Sequence, residues 1–421
     1  MFQLILILFF SAFILIAINK RDLFEPAKLF AIIWIFQMVL VKILFSETYQ
    51  FSGQNFLYLF VAIIVVLLGS TLGKNVVFSN NSHVNSYELN LSKANVFFYI
   101  ITALSFLYPF VKMSQYGFGL NFMLSINSLL EMNNEISNER YTGAEINTLF
   151  DQVLLVFLYL APLVGGYLIT FATKRKWIYY LVLVPPLFVA LTQAMKLGFI
   201  SSVFMFLASR IISIKFQTGF FPKMTFRKLK KSLFIAFLFF SLLFLSMLLR
   251  TDGINQENIK SIGYRFVNYA LGHMVAFDVW LNDLYNPNTP FELKTFYGIS
   301  NVIGLGERMQ GVFDDFIDYS NANFPEEMVT NVFSVFRFLI EDFGVYGSMF
   351  FLFVFGILTG FSYSISEKGC FSILNTTFLV SSYVYVFFSL FTSFWSYTSY
   401  IVAFFMFYIV LRMIHRRVEV E

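Results

Sequence analysis

The chain has 421 residues, of which 58% are hydrophobic and 13% charged, with a net charge of +4 and a mean hydropathy of +0.71. A soluble domain carries roughly 25% charged residues, so this composition excludes one and points to a polytopic membrane protein. The single cysteine, Cys370, excludes an internal disulfide. The net charge says little about partners because the basic residues are segregated by loop, and nothing in it points to nucleic acid.

Apolar runs long enough to span a bilayer, about 17–25 residues, recur from end to end. The predicted spans are 2–18, 27–45, 55–73, 94–113, 149–172, 178–195, 197–214, 232–249, 342–363, 371–391 and 395–411, about eleven helices in one integral membrane domain, 1–421. The first run begins at Phe2 without a basic leader or small-residue cleavage site and reads as a retained span. From Ile178 to Ile214 the apolar run would be about 55 Å long as one helix, against a core of about 30 Å. Thr192, Gln193, Lys196 and Gly198 therefore mark a tight hairpin between two helices.

Alternate loops hold 19 of the 29 lysines and arginines: Lys20, Arg21 and Lys28; Lys74 and Lys93; Lys174, Arg175 and Lys176; Arg210 to Lys231; Lys368; and Arg412, Arg416 and Arg417. The positive-inside rule places this set in the cytoplasm, with the N-terminus outside and the C-terminus inside. Residues 46–54, 114–148, the Lys196 hairpin and 250–341 then face outside. The last of these is the only long polar-rich segment. Thirteen of the 25 acidic residues lie between Asp252 and Asp342, twelve of them within this segment, which also holds six basic residues. Loops are usually about 4–6 residues, so a segment this long between spans is read as a working part.

No Walker motif, Rossmann glycine pattern, HExxH or nucleophile elbow is present, which argues against ATP hydrolysis and cofactor-driven chemistry; no cofactor is expected. The outer face instead carries Arg140, Lys196, Arg250, Arg265, Arg308 and Arg337. Arg250, where the eighth span ends, reads either as a snorkelling interfacial residue or as a phosphate ligand. The positive-inside rule disfavours arginine there, and a planar guanidinium matches phosphate oxygens bidentately. Residues 263–285 read as an amphipathic helix lying on the outer surface. Phe266, Val267, Ala270, Met274, Phe277, Leu281 and Leu284 fall on one arc, and Arg265, Asn268, Tyr269, Gly272, His273, Ala276, Trp280 and Asp283 on the other. Gly272 and Ala276 would leave open floor beside Arg265 and His273. A lone histidine is more often structural; the sharper reading is a general base. The run Asp314, Asp315, Asp318 has DDxxD spacing but is read as a solvated turn, and no metal is expected. The loop Glu131–Glu145 with Arg140 is either an exposed charged loop or a substrate contact.

The stretch Thr330–Tyr363 contains Asn331, Phe333, Ser334, Phe336, Asp342, Phe343, Gly344, Gly347, Gly356 and Gly360. It resembles the signature of bacterial oligosaccharide repeat-unit polymerases (the O-antigen polymerase, Wzy-type, family), N-x-Y-[ST]-x-[FY] leading through D-F-G-x-x-G to G-x-x-x-G. It departs from that signature at Phe333, where tyrosine is common. Arg250 and the Lys196 hairpin are similar to the family's layout. On the residues alone, Asp342 would offset its own helix's N-terminal dipole, Gly344 and Gly347 would let that helix end approach a neighbouring backbone, and Gly356 and Gly360 would form a packing face.

The resemblance implies an all-α, GT-C-like fold in the bacterial plasma membrane. It implies an enzyme joining repeat units carried on undecaprenyl pyrophosphate into O-antigen or capsular polysaccharide, without a metal. The pyrophosphate would be held by Arg140, Arg250, Arg265 and Arg337, with Lys196 and Arg308, and Arg250 and Arg265 would count as catalytic with His273. His273 would be the base, with Glu307 or Glu341 as fallbacks. Tyr264, Tyr269 and Trp280 would stack on sugars. Partners would be lipid-linked glycans, membrane lipids, and a chain-length regulator and flippase of the same pathway. Two alternatives remain: an O-antigen ligase, disfavoured by the D-F-G-x-x-G segment, and a transporter or flippase, disfavoured by the long outer segment and the lack of internal repeats.

Overall fold

The computed structural model describes residues 23–45, 49–76, 86–119, 148–193, 196–222, 256–287, 292–304, 316–319, 328–369 and 371–418, with isolated positions elsewhere. In chain order the helices are α1 (Pro26–Leu44), α2 (Gly53–Asn75), α3 (Leu91–Gln115), α4 (Leu149–Leu168), α5 (Val184–Thr192), α6 (Lys196–Thr218), α7 (Gln256–Val279), α8 (Tyr297–Val302), α9 (Val335–Glu367), α10 (Ile373–Phe388) and α11 (Thr398–Ile414). The chain is mostly helical, with few strands. Short antiparallel strands pair β1 (Ser86–Leu89) with β4 (His415–Val418), and β2 (Ile317–Asp318) with β3 (Val329–Thr330).

Six described helices, α1, α2, α3, α4, α6 and α9, are long and apolar enough to cross a membrane. Three shorter apolar stretches, Lys176–Thr192, α10 and α11, occupy further predicted spans. The expected spans 2–18 and 232–249 fall almost wholly outside the described residues. Lys176–Thr192 begins as a 3-10 helix over Lys176–Leu183 and becomes α-helical at Val184, where Pro185 and Pro186 occupy the first turn. The first part rises about 2.0 Å per residue and the second 1.5 Å, so seventeen residues cover roughly 30 Å, the thickness of a hydrocarbon core.

Loops assigned to one side by charge touch one another. Ser52 bonds to Asp278, Asn133 to Leu191, and Lys196 lies 5.9 Å from the Tyr269 ring. At the other end β1 pairs with β4, and Lys215 bonds to the Glu367 carbonyl.

The central packing is α2 against α9. Gly69 and Gly73 on α2 face Gly356 and Gly360 on α9. A Cβ at Gly73 would lie 2.1 Å from the Ile357 oxygen, and one at Gly360 2.2 Å from the Ser70 oxygen. The predicted packing face on α9 thus meets a second G-x-x-x-G on α2. Backbones approach this closely only where side chains are absent, which is how helices gain packing energy without a hydrophobic drive between them. Beside the seam, buried Glu25 takes Ser70 Oγ at 2.5 Å and is paired with Lys28 at 3.3 Å and with Lys74. A buried carboxylate is tolerable only with such partners.

The predicted span beginning at Asp342 is corrected. Helix α9 begins at Val335 and is interrupted at Gly344, with φ 68° and ψ 175°. That backbone region is open essentially to glycine alone. The remaining 345–367 are about 34 Å long, enough to span. Gly344 is therefore required for its torsion and not for close approach, since a Cβ there would meet nothing within 4 Å. Gly344→Ala should lower thermal stability in detergent by roughly 1–3 kcal/mol. Gly263→Ala, also in open space but inside helix α7, should be neutral or better.

Candidate functional site

Where α7 ends and α9 begins, a cavity of ≈ 550 Å³ opens. Trp280 and Leu284 line it from a π turn, Trp280–Leu284, that closes helix α7 with a bond from Tyr285 N to Trp280 O at 2.8 Å. Such turns are frequent at functional sites. Phe316 and Ile317 line it from the edge of β2, and Lys294, Arg337 and Glu341 form its charged wall.

The first turns of α9 put Arg337 and Glu341 on one face at helical i,i+4 spacing. Arg337 Nε donates to Glu341 Oε1 at 2.7 Å. The guanidinium lies 4.0 Å from the Phe333 ring centroid and 5.4 Å from that of Trp280, and only 4% of the residue is exposed. It lies close to two aromatic rings, where a cation is well accommodated.

Lys294 reaches the same carboxylate from another part of the chain. Its Nζ is 2.7 Å from Glu341 Oε2 and 3.1 Å from Glu292. Burial opposes its charge, but the bonds and charges of Glu341 and Glu292 outweigh that, so its pKa is raised. The residue before it, Leu293, has φ 53° and ψ 40°, a left-handed conformation costing roughly 1–2 kcal/mol outside glycine. The strain is held by Asp342, whose carboxylate accepts the backbone N–H groups of Lys294 at 2.7 Å and Thr295 at 2.6 Å, and by Ser393 Oγ, which donates to Thr295 O at 2.8 Å. Asp342 thus caps the short turn Lys294–Phe296 and not its own helix, which corrects the sequence reading.

Of the residues singled out from sequence, the structure brings Arg337, Glu341 and Trp280 together in the cavity. Trp280 is a wall and not an open platform, being 3% exposed and flanked by Phe277, Tyr285 and Arg337. Lys196 and Arg265 do not line the cavity. Arg265 is exposed on α7, where Tyr269 is 58% exposed with Lys196 over its ring, and Lys260 lies 5.8 Å from the Tyr264 ring. Arg140, Arg250, Glu307, Arg308, Asp314 and Asp315 lie outside the described residues; Asp318 is exposed in β2. Among the described residues no group of three or more His, Cys, Asp or Glu side chains could hold a metal ion. Two participants were missed: Lys294, and Asp342 as its anchor. Lys294 was visible only as one of six bases in a long loop.

The open floor expected beside His273 is not there. His273 is fully buried, with Trp34 6.0 Å and Phe391 6.4 Å from its ring, and neither ring nitrogen has a hydrogen-bond partner. The space above Gly272 is filled by Asn268 and Tyr319, whose hydroxyl donates to Asn268 Oδ1 at 2.5 Å. From Leu271 to Asp278 every residue of helix α7 is buried, so this half is embedded and does not lie on a surface. Asp278 pins it, accepting from Tyr49 Oη at 3.0 Å and from Ser52 Oγ at 2.5 Å.

Burial pushes the His273 pKa down to about 3. The unfolded chain then binds a proton that the folded one refuses between pH 6.5 and 3, and stability falls as pH falls through that window. The full loss is on the order of 5 kcal/mol, of which about 2 kcal/mol appears by pH 5. His273→Phe should therefore lose less melting temperature between pH 7 and pH 5 than the parent; equal losses would place the acid sensitivity elsewhere.

Comparison of the chain with protein-family models, characterised proteins and solved structures gives no match. The fold and the site define a mostly helical, membrane-embedded protein with a charged, aromatic-walled cavity at one end of the bundle.

Proposed function

We propose that this protein is a membrane glycosyltransferase that polymerises oligosaccharide repeat units carried on undecaprenyl pyrophosphate, as its D-F-G-x-x-G segment resembles. One observation carries the reading. A buried arginine on the motif helix shares a cavity of ≈ 550 Å³ with a lysine and a carboxylate, beside the exposed apolar side chains Leu284 and Phe316. The cations suit a pyrophosphate, the apolar rim a prenyl chain, and the volume lies within the roughly 300–1,000 Å³ of ligand sites.

In the proposed reaction the acceptor sugar hydroxyl attacks the anomeric carbon of the donor chain. The carbon–oxygen bond to pyrophosphate breaks, and its electron pair leaves with the pyrophosphate. Fixed positive charge in a dry site stabilises that leaving group. The hydroxyl proton passes to Glu341, the candidate base that lines the cavity, and not to His273. Arg140, Arg250 and Arg308 complete the pyrophosphate site in this reading, while Arg265 and Tyr269 on α7, with Lys196 at the start of α6 over the Tyr269 ring, form an approach surface. The remaining elements of the reading are about eleven spans, the cavity facing outside, the C-terminus in the cytoplasm, and a chain-length regulator and flippase as pathway partners.

The test is incubation of the purified protein with a synthetic lipid-linked repeat unit, followed by mass spectrometry. A ladder of polymers with stoichiometric release of undecaprenyl pyrophosphate, insensitive to chelator, is expected. Transfer only to a lipid A core acceptor would make the protein a ligase. Unchanged substrate that crosses vesicle membranes would make it a flippase.

A further inference from the structure

We infer that Lys294 and Arg337 are the two jaws of one oxyanion clamp, that Glu341 is the resident occupant an incoming phosphate displaces, and that Asp342 is the positioning residue that sets Lys294. This rests on the reading of the cavity as an anion site and assigns its second cation.

The two oxygens of a single carboxylate already meet the two cations, Oε1 at 2.7 Å from Arg337 Nε and Oε2 at 2.7 Å from Lys294 Nζ. An O–P–O edge of a phosphate presents the same pair of acceptors with a similar bite, so the clamp displays the geometry of the ligand it takes. The jaws come from separate parts of the chain and are fixed by different means. Arg337 lies close to the rings of Phe333 and Trp280. Lys294 is held by backbone: left-handed Leu293 turns the chain, and Asp342 takes the N–H groups of Lys294 and Thr295. Strained residues held by their surroundings cluster at ligand clamps, and here the strained Leu293 precedes the lysine that lines the cavity. Asp342 and Glu341 are adjacent in sequence, so one residue aims the lysine and the next keeps its seat occupied until ligand arrives. Once displaced, Glu341 stands beside the phosphate, where the proposed reaction needs a proton acceptor.

The test is binding of inorganic pyrophosphate and of geranyl pyrophosphate to the full-length protein in detergent, read by calorimetry, with melting temperatures measured without ligand. Lys294→Ala should weaken both by about tenfold or more with only a small drop in melting temperature, since Arg337 still pairs with Glu341, and Lys294→Arg should restore most of the binding loss. Asp342→Asn should weaken binding in the parent but add nothing in the Lys294→Ala background. Glu341→Gln should tighten binding. Lys294→Ala binding within about twofold of the parent while Arg337→Ala does not bind would remove the clamp and leave the anion site standing. Weaker binding by Glu341→Gln would show that the carboxylate is not a displaced occupant. An Asp342→Asn loss that persists without Lys294 would make Asp342 a fold residue only. Failure of the parent to bind either probe would overturn the anion site itself, and the clamp with it.

Discussion

Arg337→Ala should abolish polymer formation in the lipid-linked repeat-unit assay. Each charge-assisted bond to a pyrophosphate contributes roughly 1.5–3 kcal/mol, or about 10–150-fold in rate, and a guanidinium makes more than one such bond. Lysine keeps the charge but not the planar fork, so Arg337→Lys should recover only part of the activity. The substitution also has a structural cost, because removing one member of a buried ion pair typically costs about 3–5 kcal/mol. Here the cost should fall below that range, since Lys294 still neutralises Glu341 at 2.7 Å. The double variant Arg337→Ala, Glu341→Ala isolates the structural share. It leaves Lys294 paired with Glu292 at 3.1 Å, and it should regain most of the lost melting temperature. An Arg337→Ala protein that loses activity only in proportion to its loss of folded protein would mean that Arg337 only supports the start of the motif helix.

The second large effect is expected at the α2–α9 seam. Gly360→Ile should prevent accumulation of folded protein, read as loss of the monodisperse peak in size-exclusion chromatography. A Cβ at 360 would sit 2.2 Å from the Ser70 oxygen and 2.7 Å from Ser70 Cα and Oγ, and backbone cannot yield as a flexible side chain can. Forcing the helices apart also pulls Ser70 from Glu25, leaving a carboxylate that is 3% exposed with one partner fewer. Even Gly360→Ala should cost about 1–3 kcal/mol by overpacking. A Gly360→Ile protein with the parent's melting temperature would mean that the seam is looser than this geometry.

Some of this was legible in the residues. Apolar runs located helices α1, α2, α3, α4, α6 and α9, because the free energy of placing a helix in a bilayer is close to a sum over its own residues. The hairpin before Lys196 followed from length alone. Gly356 and Gly360 announced a close helix contact because glycine at four-residue spacing has few other uses in a span. Arg337, Glu341 and Trp280 stood out by residue type. Helix α7 departs from its pattern for a physical reason. Its hydrophobic periodicity predicts one buried and one open face, but over Leu271–Asp278 the helix is embedded on all sides and buries its polar arc too, so periodicity loses its meaning there.

The sequence by itself determined that the chain is a mostly helical membrane protein, where most long helices run, and that Gly356 and Gly360 form a packing face on the motif helix. These are local properties, set by composition and by spacing along one helix. Only the tertiary structure decided that His273 is sealed against Trp34, that Gly344 breaks α9 through a torsion closed to other residues, and that Asp342 serves a turn 47 residues away. It alone placed Lys294 opposite Arg337 across one carboxylate. Each of these depends on groups far apart in the chain meeting in space. Which backbone N–H a carboxylate finds, and whether an imidazole meets water or indole, is settled by packing and not by its neighbours in sequence.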